Sequence, residues 1–252
     1  MIPPTSIDGT DITGVTIDGT DVQEITVDGN VVFTSAPPVP TLPNSVVHRW
    51  EVDKLGLSNG ASVGTIPDQV GNRDLFDGGS PTYRTNQING VDALEYDGND
   101  DYHDNTNVFV GQPFYAVTVI GVISDEAERM ISRSQNNGII MATETAVTNP
   151  QLTQWAGGPF ANDNLVFKDN SPAIFGAFYD GSSSFTRVNG NQVGGQNPGS
   201  NNMDGLRTAA DNDFSPASTA FYFGELVVLD NPSTQDILDI DTILSAKWGI
   251  SV

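Results

Sequence analysis

The chain has 252 residues, with Asp+Glu 32 against Lys+Arg 10, a formal net charge of −22 and no cysteine. Only three lysines occur, Lys54, Lys168 and Lys247, so nucleic acid and anionic membrane surfaces are excluded as partners, since both need clustered basic side chains. Without Cys there are no disulfides and no thiolate metal sites, and Gly 26 with Pro 15 marks a turn-rich, mostly β chain.

The N-terminus, MIPPTSIDGT, has neither a basic segment nor an apolar core, so no secretory signal is expected. Residues 5–34 carry a ten-residue repeat: Ser6-Ile7-Asp8-Gly9, Thr16-Ile17-Asp18-Gly19 and Thr26-Val27-Asp28-Gly29. Each unit reads as a short strand, an Asp-Gly turn and a second short strand, together a small meander. Such an arm is too small for its own core. It either pairs with another chain or folds back on the body of the protein, because exposed strand edges must be covered. Residues 34–45, TSAPPVPTLPNS, carry four prolines and read as a stiff linker. The expected division is therefore an arm at 1–33, a linker at 34–45 and one domain at 46–252.

Strands are expected at Val46–Trp50, Val91–Tyr96, Tyr115–Ile123, Arg129–Ser134, Gly138–Thr143 and Phe221–Leu229, with Leu165–Lys168 before a central hairpin. The run Phe114–Ile123 is too short to span a bilayer as a helix. Turns fall at Asp68–Asn72, Asn89-Gly90 and Asp97-Gly98. The stretch Ala173–Gly190, AIFGAFYDGSSSFTRVNG, reads as a hairpin with a tight turn at Asp180-Gly181 and a second turn at Asn189-Gly190. Both faces of its first arm are apolar, so it needs sheets above and below. The polar segment from Val193 to Gly205 reads as a loop. One helix follows, capped by Ser233, with Asp236 in its first turn, Ile237, Ile240 and Leu244 on one face, Lys247 in its last turn and Gly249 as C-cap. The expected core comprises Trp50, Leu94, Tyr96, Val117, Val119, Ile174, Phe178, Leu226, Val228 and Ile240, with Trp248.

From Val46 to Val252 the chain resembles the laminin-G-like, concanavalin-A-like lectin/glucanase family. The resemblance rests on the opening strand with Trp50, on Asp68 before Arg73-Asp74-Leu75, and on the block from Gly90 to Tyr102. It also rests on the Asp180-Gly181/Asn189-Gly190 hairpin and on Gly224-Glu225-Leu226-Val227-Val228 leading to a helix that ends Lys247-Trp248-Gly249-Ile250. It implies an antiparallel two-sheet jelly-roll sandwich with a C-terminal helix, and says little about function. The Asp-Gly repeat is similar to the openings of structural proteins of tailed viruses, especially of halophilic archaea. The acid excess fits high salt, because at ~1 M the Debye length is about 3 Å and self-repulsion is screened.

Four constellations bear on chemistry. Asp97, Asn99 and Asp101 place oxygens at alternate positions, as the start of a Ca2+ loop does, but the twelfth position is Val108 rather than a bidentate Glu; a Ca2+ or other cation site and a plain turn both stay open. Glycosidases of this fold set two acids across the scissile bond; here Glu51-Val52-Asp53 lacks a third acid nearby, and Glu225 and Asp230 are separated by an apolar strand, so no enzyme is expected. His48 and His103 are too far apart in sequence to suggest a metal pair. Trp155, with Asn162, Asp163 and Asn164, is the candidate for stacking on a sugar, with a packed Trp as the alternative.

The expected function is a non-enzymatic virion surface protein of a halophilic tailed virus, of turret, spike or tail-fibre type. Its lectin-like domain would contact host glycan or glycoprotein. Residues 1–34 would hold a homo-oligomer (trimer, pentamer or hexamer) or bind other virion proteins. The alternative is a secreted or cell-surface carbohydrate-binding module, with a glycoside hydrolase behind it.

Overall fold

The computed structural model describes residues 6–7, 10–11, 16–17, 20–21, 24–27, 30–34, 39–122, 128–132, 140–144, 151–158, 161–163, 171–209 and 220–252. The chain divides into two compact units, Met1–Val39 and Pro40–Val252.

In the first unit each ten-residue repeat forms one hairpin. β1 (Ser6–Ile7) pairs with β2 (Thr10–Asp11), β3 (Thr16–Ile17) with β4 (Thr20–Asp21), and β5 (Glu24–Val27) with β6 (Asn30–Thr34). The Asp-Gly pairs themselves lie outside the described residues. Instead of one meander, the described residues form three separate two-stranded ladders.

The second unit begins before the first expected strand. Leu42 packs on the apolar layer beneath the helix, and the Ser45 carbonyl accepts from Asp230 N. Chain order then runs β7 (Val46–Glu51), β8 (Thr65–Ile66), β9 (Leu75–Gly78), β10 (Thr82–Ile88), β11 (Val91–Asp97) and β12 (Tyr102–Val110). It continues with β13 (Phe114–Val122), β14 (Glu128–Ser132), β15 (Ile140–Glu144), β16 (Gln151–Trp155) and β17 (Ala161–Asp163). The last elements are β18 (Ala173–Tyr179), β19 (Phe185–Val188), β20 (Asn191–Gly194), β21 (Met203–Thr208), β22 (Ala220–Asp230) and helix α1 (Thr234–Trp248).

Two antiparallel sheets result. The first has the order β10-β11-β22-β13-β18-β19-β20, with β7 also on β22. The second has the order β17-β16-β15-β14-β21-β12-β9-β8. The eleven residues of β22 are long enough to serve two neighbours on one side: Glu225–Leu229 pair with β7, and Ala220–Phe223 with β11.

Side-chain alternation decides the layers. In β13, Phe114 and Ala116 turn inward to the core between the sheets, while Tyr115, Val117 and Val119 turn outward under α1. Ile120 continues that alternation on the inner face, and the irregularity opposite the Val119–Ile120 step lies in β22, where Gly224 is the extra residue and shifts the phase of that strand. In β22, Phe221, Phe223, Leu226 and Val228 face in, and Val227 and Leu229 face out. The expected core thus splits: Trp50, Leu94, Tyr96, Leu226 and Val228 lie between the sheets, whereas Val117, Val119, Ile174 and Ile240 form the helix layer with half-buried Phe178. Each fully buried Leu, Ile or Phe contributes about 1.5–3 kcal/mol.

The helix forms where its caps place it. Ser233 Oγ accepts from Asp236 N, the Asp236 carboxylate accepts from Ser233 N, and Gly249 sits at φ 62 as the left-handed C-cap. Asn89-Gly90 and Asn189-Gly190 are two-residue turns with positive φ at both positions, joining β10 to β11 and β19 to β20.

Three expectations change. The central hairpin has no tight Asp180-Gly181 turn. Asp180 has φ −155, and the three serines lengthen the connection into a short 3-10 turn, Gly181–Ser183, tied by Ser184 Oγ accepting from Asp180 N. One apolar face of that hairpin is covered by α1 rather than by a sheet. The polar stretch ending at Gly205 is not all loop, because β21 starts at Met203 and lies inside the second sheet between β14 and β12. The stretch Leu165–Lys168 lies outside the described residues.

Candidate functional site

Helix α1 packs on the outer face of the first sheet over β13 and β18, whereas the described part of the second sheet carries no helix. A groove of about 560 Å3 lies there, where the end of β12 meets the start of β21. Phe109, Gly111, Ser200, Asn201, Asn202 and Asp204 line it.

β12 explains why an aromatic ring is exposed there. Val108 and Val110 both turn into the core, so the residue between them must face outward. Phe109 is 61% exposed, the most exposed large apolar side chain among the described residues. The ladder sets Phe109 directly opposite Asp204, with Val110 opposite Met203. Cross-strand neighbours lie about 4.5–5.5 Å apart at Cβ, so the ring and the carboxylate share one patch.

The loop before β21 is held from three sides. Pro198 O accepts from Ala156 N (2.7 Å) and Gly158 N (2.8 Å), and Asn201 N donates to Ala156 O (2.8 Å). Gln112 Nε2 donates to Asn201 O (2.7 Å), Gln112 N donates to Asn202 Oδ1 (3.0 Å), and Gln112 Oε1 accepts from Gly181 N (2.8 Å). Gly199 has φ +112, and a Cβ there would stand 2.2 Å from Ala156 O, so only glycine allows this close approach. The wall of the groove is therefore preorganised. Its polar tips are not used up. Among the described residues, the Asp204 carboxylate, the Ser200 hydroxyl and Asn202 Nδ2 have no hydrogen-bond or ion-pair partner. An exposed ring beside unengaged acceptors and donors suits a ligand with one apolar face and a rim of hydroxyls.

The Asp97 turn is a different kind of site. Oxygens of Asp97, Asp100 and Asp101 lie within 4.8 Å of one another. Asp97 accepts from Asn99 N (2.9 Å) and Asn99 Nδ2 (3.0 Å), which holds its carboxyl below the ordinary carboxylate value. Asp101 is pushed upward by burial, although it accepts from Ser80 N (2.7 Å) and Asp97 N (3.1 Å). Of the three expected ligands, Asp97 and Asp101 come together, the third carboxylate is that of Asp100, and Asn99 turns back onto Asp97. The donor set is of the all-oxygen kind that hard cations take.

Glu51 and Asp53 meet Glu225 beneath the end of α1. Their oxygens also lie within 4.8 Å of one another, but Lys247 Nζ stands 2.8, 2.7 and 2.7 Å from Glu51, Asp53 and Glu225. Arg49 adds contacts to Glu225 (2.6 Å) and Glu51 (3.1 Å), and Trp248 Nε1 donates to Glu225 (2.9 Å). An internal ammonium occupies the place a cation would take, and the acids are tied down rather than poised across a cleft.

The remaining expected residues fall into two groups, the β16–β17 pair and the two histidines. Trp155 ends β16 and is half-buried; Asn162 and Asp163 lie in β17, paired with Thr153 and Leu152; Asn164 lies outside the described residues. His48 binds Asp68 (2.6 Å) beside the first sheet. His103 is buried between the sheets, with Nε2 donating to Val63 O (3.1 Å) and Nδ1 accepting from the Tyr96 hydroxyl (3.1 Å). Burial lowers its pKa to about 4 and keeps the ring neutral.

No protein-family model and no curated protein matches the sequence. Solved structures do. A botulinum neurotoxin serotype D ligand binding domain in complex with N-acetylneuraminic acid matches at TM-score 0.52 and 12% identity, over 80% of this chain and 55% of that one. A mutant Trypanosoma rangeli sialidase displaying trans-sialidase activity matches at TM-score 0.57 and 10% identity, over 87% and 35%. Domain 4 of AbnA, an extracellular arabinanase from Geobacillus stearothermophilus, in complex with arabinotriose, matches at TM-score 0.51 and 11% identity, over 78% and 97%. The chain spans about half the length of the toxin domain, about a third of the sialidase and nearly all of the arabinanase module. At these identities the likeness is one of fold: the two-sheet antiparallel sandwich with a C-terminal helix that the sequence resemblance implied.

Proposed function

We propose that the sandwich is a non-catalytic carbohydrate-recognition module and that the groove at Phe109 is its binding site. The observation that carries this is the exposed Phe109 ring set across the ladder from an unpaired Asp204 on a rigid wall. Protein sugar sites combine an aromatic face, which covers the C–H face of a pyranose or furanose, with carboxylate and carboxamide groups that bind hydroxyls. Two of the fold neighbours were solved with a saccharide bound, which supports the same reading. The absence of catalysis is supported by the state of Glu51, Asp53 and Glu225, whose carboxylates are engaged by Lys247 and Arg49. The test is a glycan array probed with the full chain at high salt, beside Phe109→Ala. Binding lost in the variant supports the site; equal binding by both refutes it.

At a finer level, the module is a virion surface protein of a halophilic tailed virus. Its arm, residues 1–34, anchors it through strand pairing between copies or on another virion protein, and its sandwich reaches host glycan or glycoprotein. The net charge of −22 and the Asp-Gly repeat support this, as does the shortness of the three hairpins, since isolated two-stranded ladders are marginal in water. Deletion of residues 1–34 should lower the oligomeric state in sedimentation at high salt; a truncated chain that keeps the full-length state refutes the anchor. A second reading, a binding module of a larger secreted enzyme, is favoured by the match to nearly the whole of the arabinanase domain. Mass spectrometry of purified virions separates the two.

A further inference from the structure

We infer that the groove selects uncharged saccharides and rejects acidic ones; this rests on the carbohydrate reading above. Among the described residues, none that lines it is Lys, Arg or His, so none of them offers a cation to the carboxylate of a sialic or uronic acid. The nearest basic residue along β21, Arg207, is fully buried and donates to Asp104 (2.8 Å). The one charged group among the described residues of the groove is the Asp204 carboxylate, an acceptor only, on a chain of net charge −22.

An ionised carboxylate has two oxygens able to accept from two hydroxyls at once, which is the donor pattern of a vicinal diol. Asn202 is fixed by Gln112 N on its Oδ1, so its carboxamide orientation is set and Nδ2 is left as a donor for a hydroxyl or ring oxygen. Ser200, at the exposed rim, can serve either way. Stacking on Phe109 supplies the apolar contact, and it asks only for a flat C–H face. A neutral pentose or hexose meets every one of these groups. An acidic sugar brings a carboxylate toward Asp204 with nothing to neutralise it, and like charges at contact distance stay repulsive even where longer-range fields are screened.

The experiment measures affinity of the full chain in molar salt for arabinotriose, lactose and sialyl-lactose by titration calorimetry. Melting curves verify that the variants Phe109→Ala and Asp204→Asn are folded. A neutral ligand is expected to bind at least tenfold more tightly than sialyl-lactose, Phe109→Ala to lose all binding, and Asp204→Asn to narrow the gap between lactose and sialyl-lactose. If sialyl-lactose binds as well as lactose or better, and Phe109→Ala abolishes that binding, selectivity for neutral sugars is wrong while the carbohydrate site stands. If the wild-type chain binds none of the three and no member of the array, the carbohydrate reading itself falls, and this inference with it.

Discussion

Replacing Lys247 by Met should release the end of helix α1 from the sandwich. The Lys247 ammonium is the shared partner of Glu51, Asp53 and Glu225, and the Glu225 side chain is 0% exposed. Methionine keeps most of the apolar stem of lysine and removes the charged ammonium with its hydrogen-bond donors. Three carboxylates then remain around Arg49, which contacts Glu225 and Glu51 but not Asp53. Removing one partner of a buried ion pair costs about 3–5 kcal/mol. Arg49 compensates in part and the Lys247 side chain is 19% exposed, which puts the expected loss near the lower end, about 3 kcal/mol. For a domain of this size that lowers Tm by roughly 6–12 °C. Urea unfolding followed by tryptophan fluorescence reads it, since Trp248 lies in the same network. Glu225→Gln in the Lys247→Met background should cost less than the sum of the single changes, because the two residues act as a pair. A loss below about 1 kcal/mol, as for an exposed pair, would refute the reasoning. The linkage sign follows from the raised Lys247 pKa. Burial alone would lower it, but the charge of Glu225 and hydrogen bonds to Asp53, Glu225 and Glu51 outweigh burial. Its contribution is complete below the ordinary value of 10.5 and is lost as pH rises through the higher folded value.

Three further outcomes are expected. His103 is held neutral by burial, with its pKa near 4 instead of 6.5, so its contribution is complete above pH 6.5 and falls by about 3 kcal/mol toward pH 4; the raised carboxyls of Asp101 and Asp241 act with the opposite sign, so the difference between wild type and His103→Gln isolates it, and equal pH profiles would contradict it. Gly176→Ala would put a Cβ 1.8 Å from Tyr115 Oη, which is fixed by its hydrogen bond to Asp241, and should destabilise by about 2 kcal/mol in denaturant titration; a neutral result would show that the ring moves aside freely. With a charge of −22, Tm should climb between dilute buffer and molar salt, and an unchanged Tm would remove the halophilic reading.

Elements with strong local signals were legible in the sequence. The helix announced both ends, through Ser233 with Asp236 and through Gly249, and the Asn-Gly pairs marked their turns. β22 was visible because it is buried on both faces and reads as a continuous apolar run. β12 and β21 were not, because their outward faces carry Asp, Asn and Thr, and Gly205 breaks the alternation. The groove was hidden for the same reason. Trp155 has amides within the ten residues that follow it, a local signal, whereas Phe109 and Asp204 become neighbours only through the β12–β21 ladder. The one local clue was Val108-Phe109-Val110: two β-branched residues bound for the core force the ring between them outward. The Lys247 network was equally out of reach, since its members span Arg49 to Trp248.

The most direct measurement is a crystal structure of the full chain soaked with arabinotriose. The expected result is a sugar ring within about 4 Å of the Phe109 ring, with hydroxyls donating to the Asp204 carboxylate. A sugar seated at Trp155 and β17, with the Phe109 groove empty at saturating ligand, would contradict the central claim.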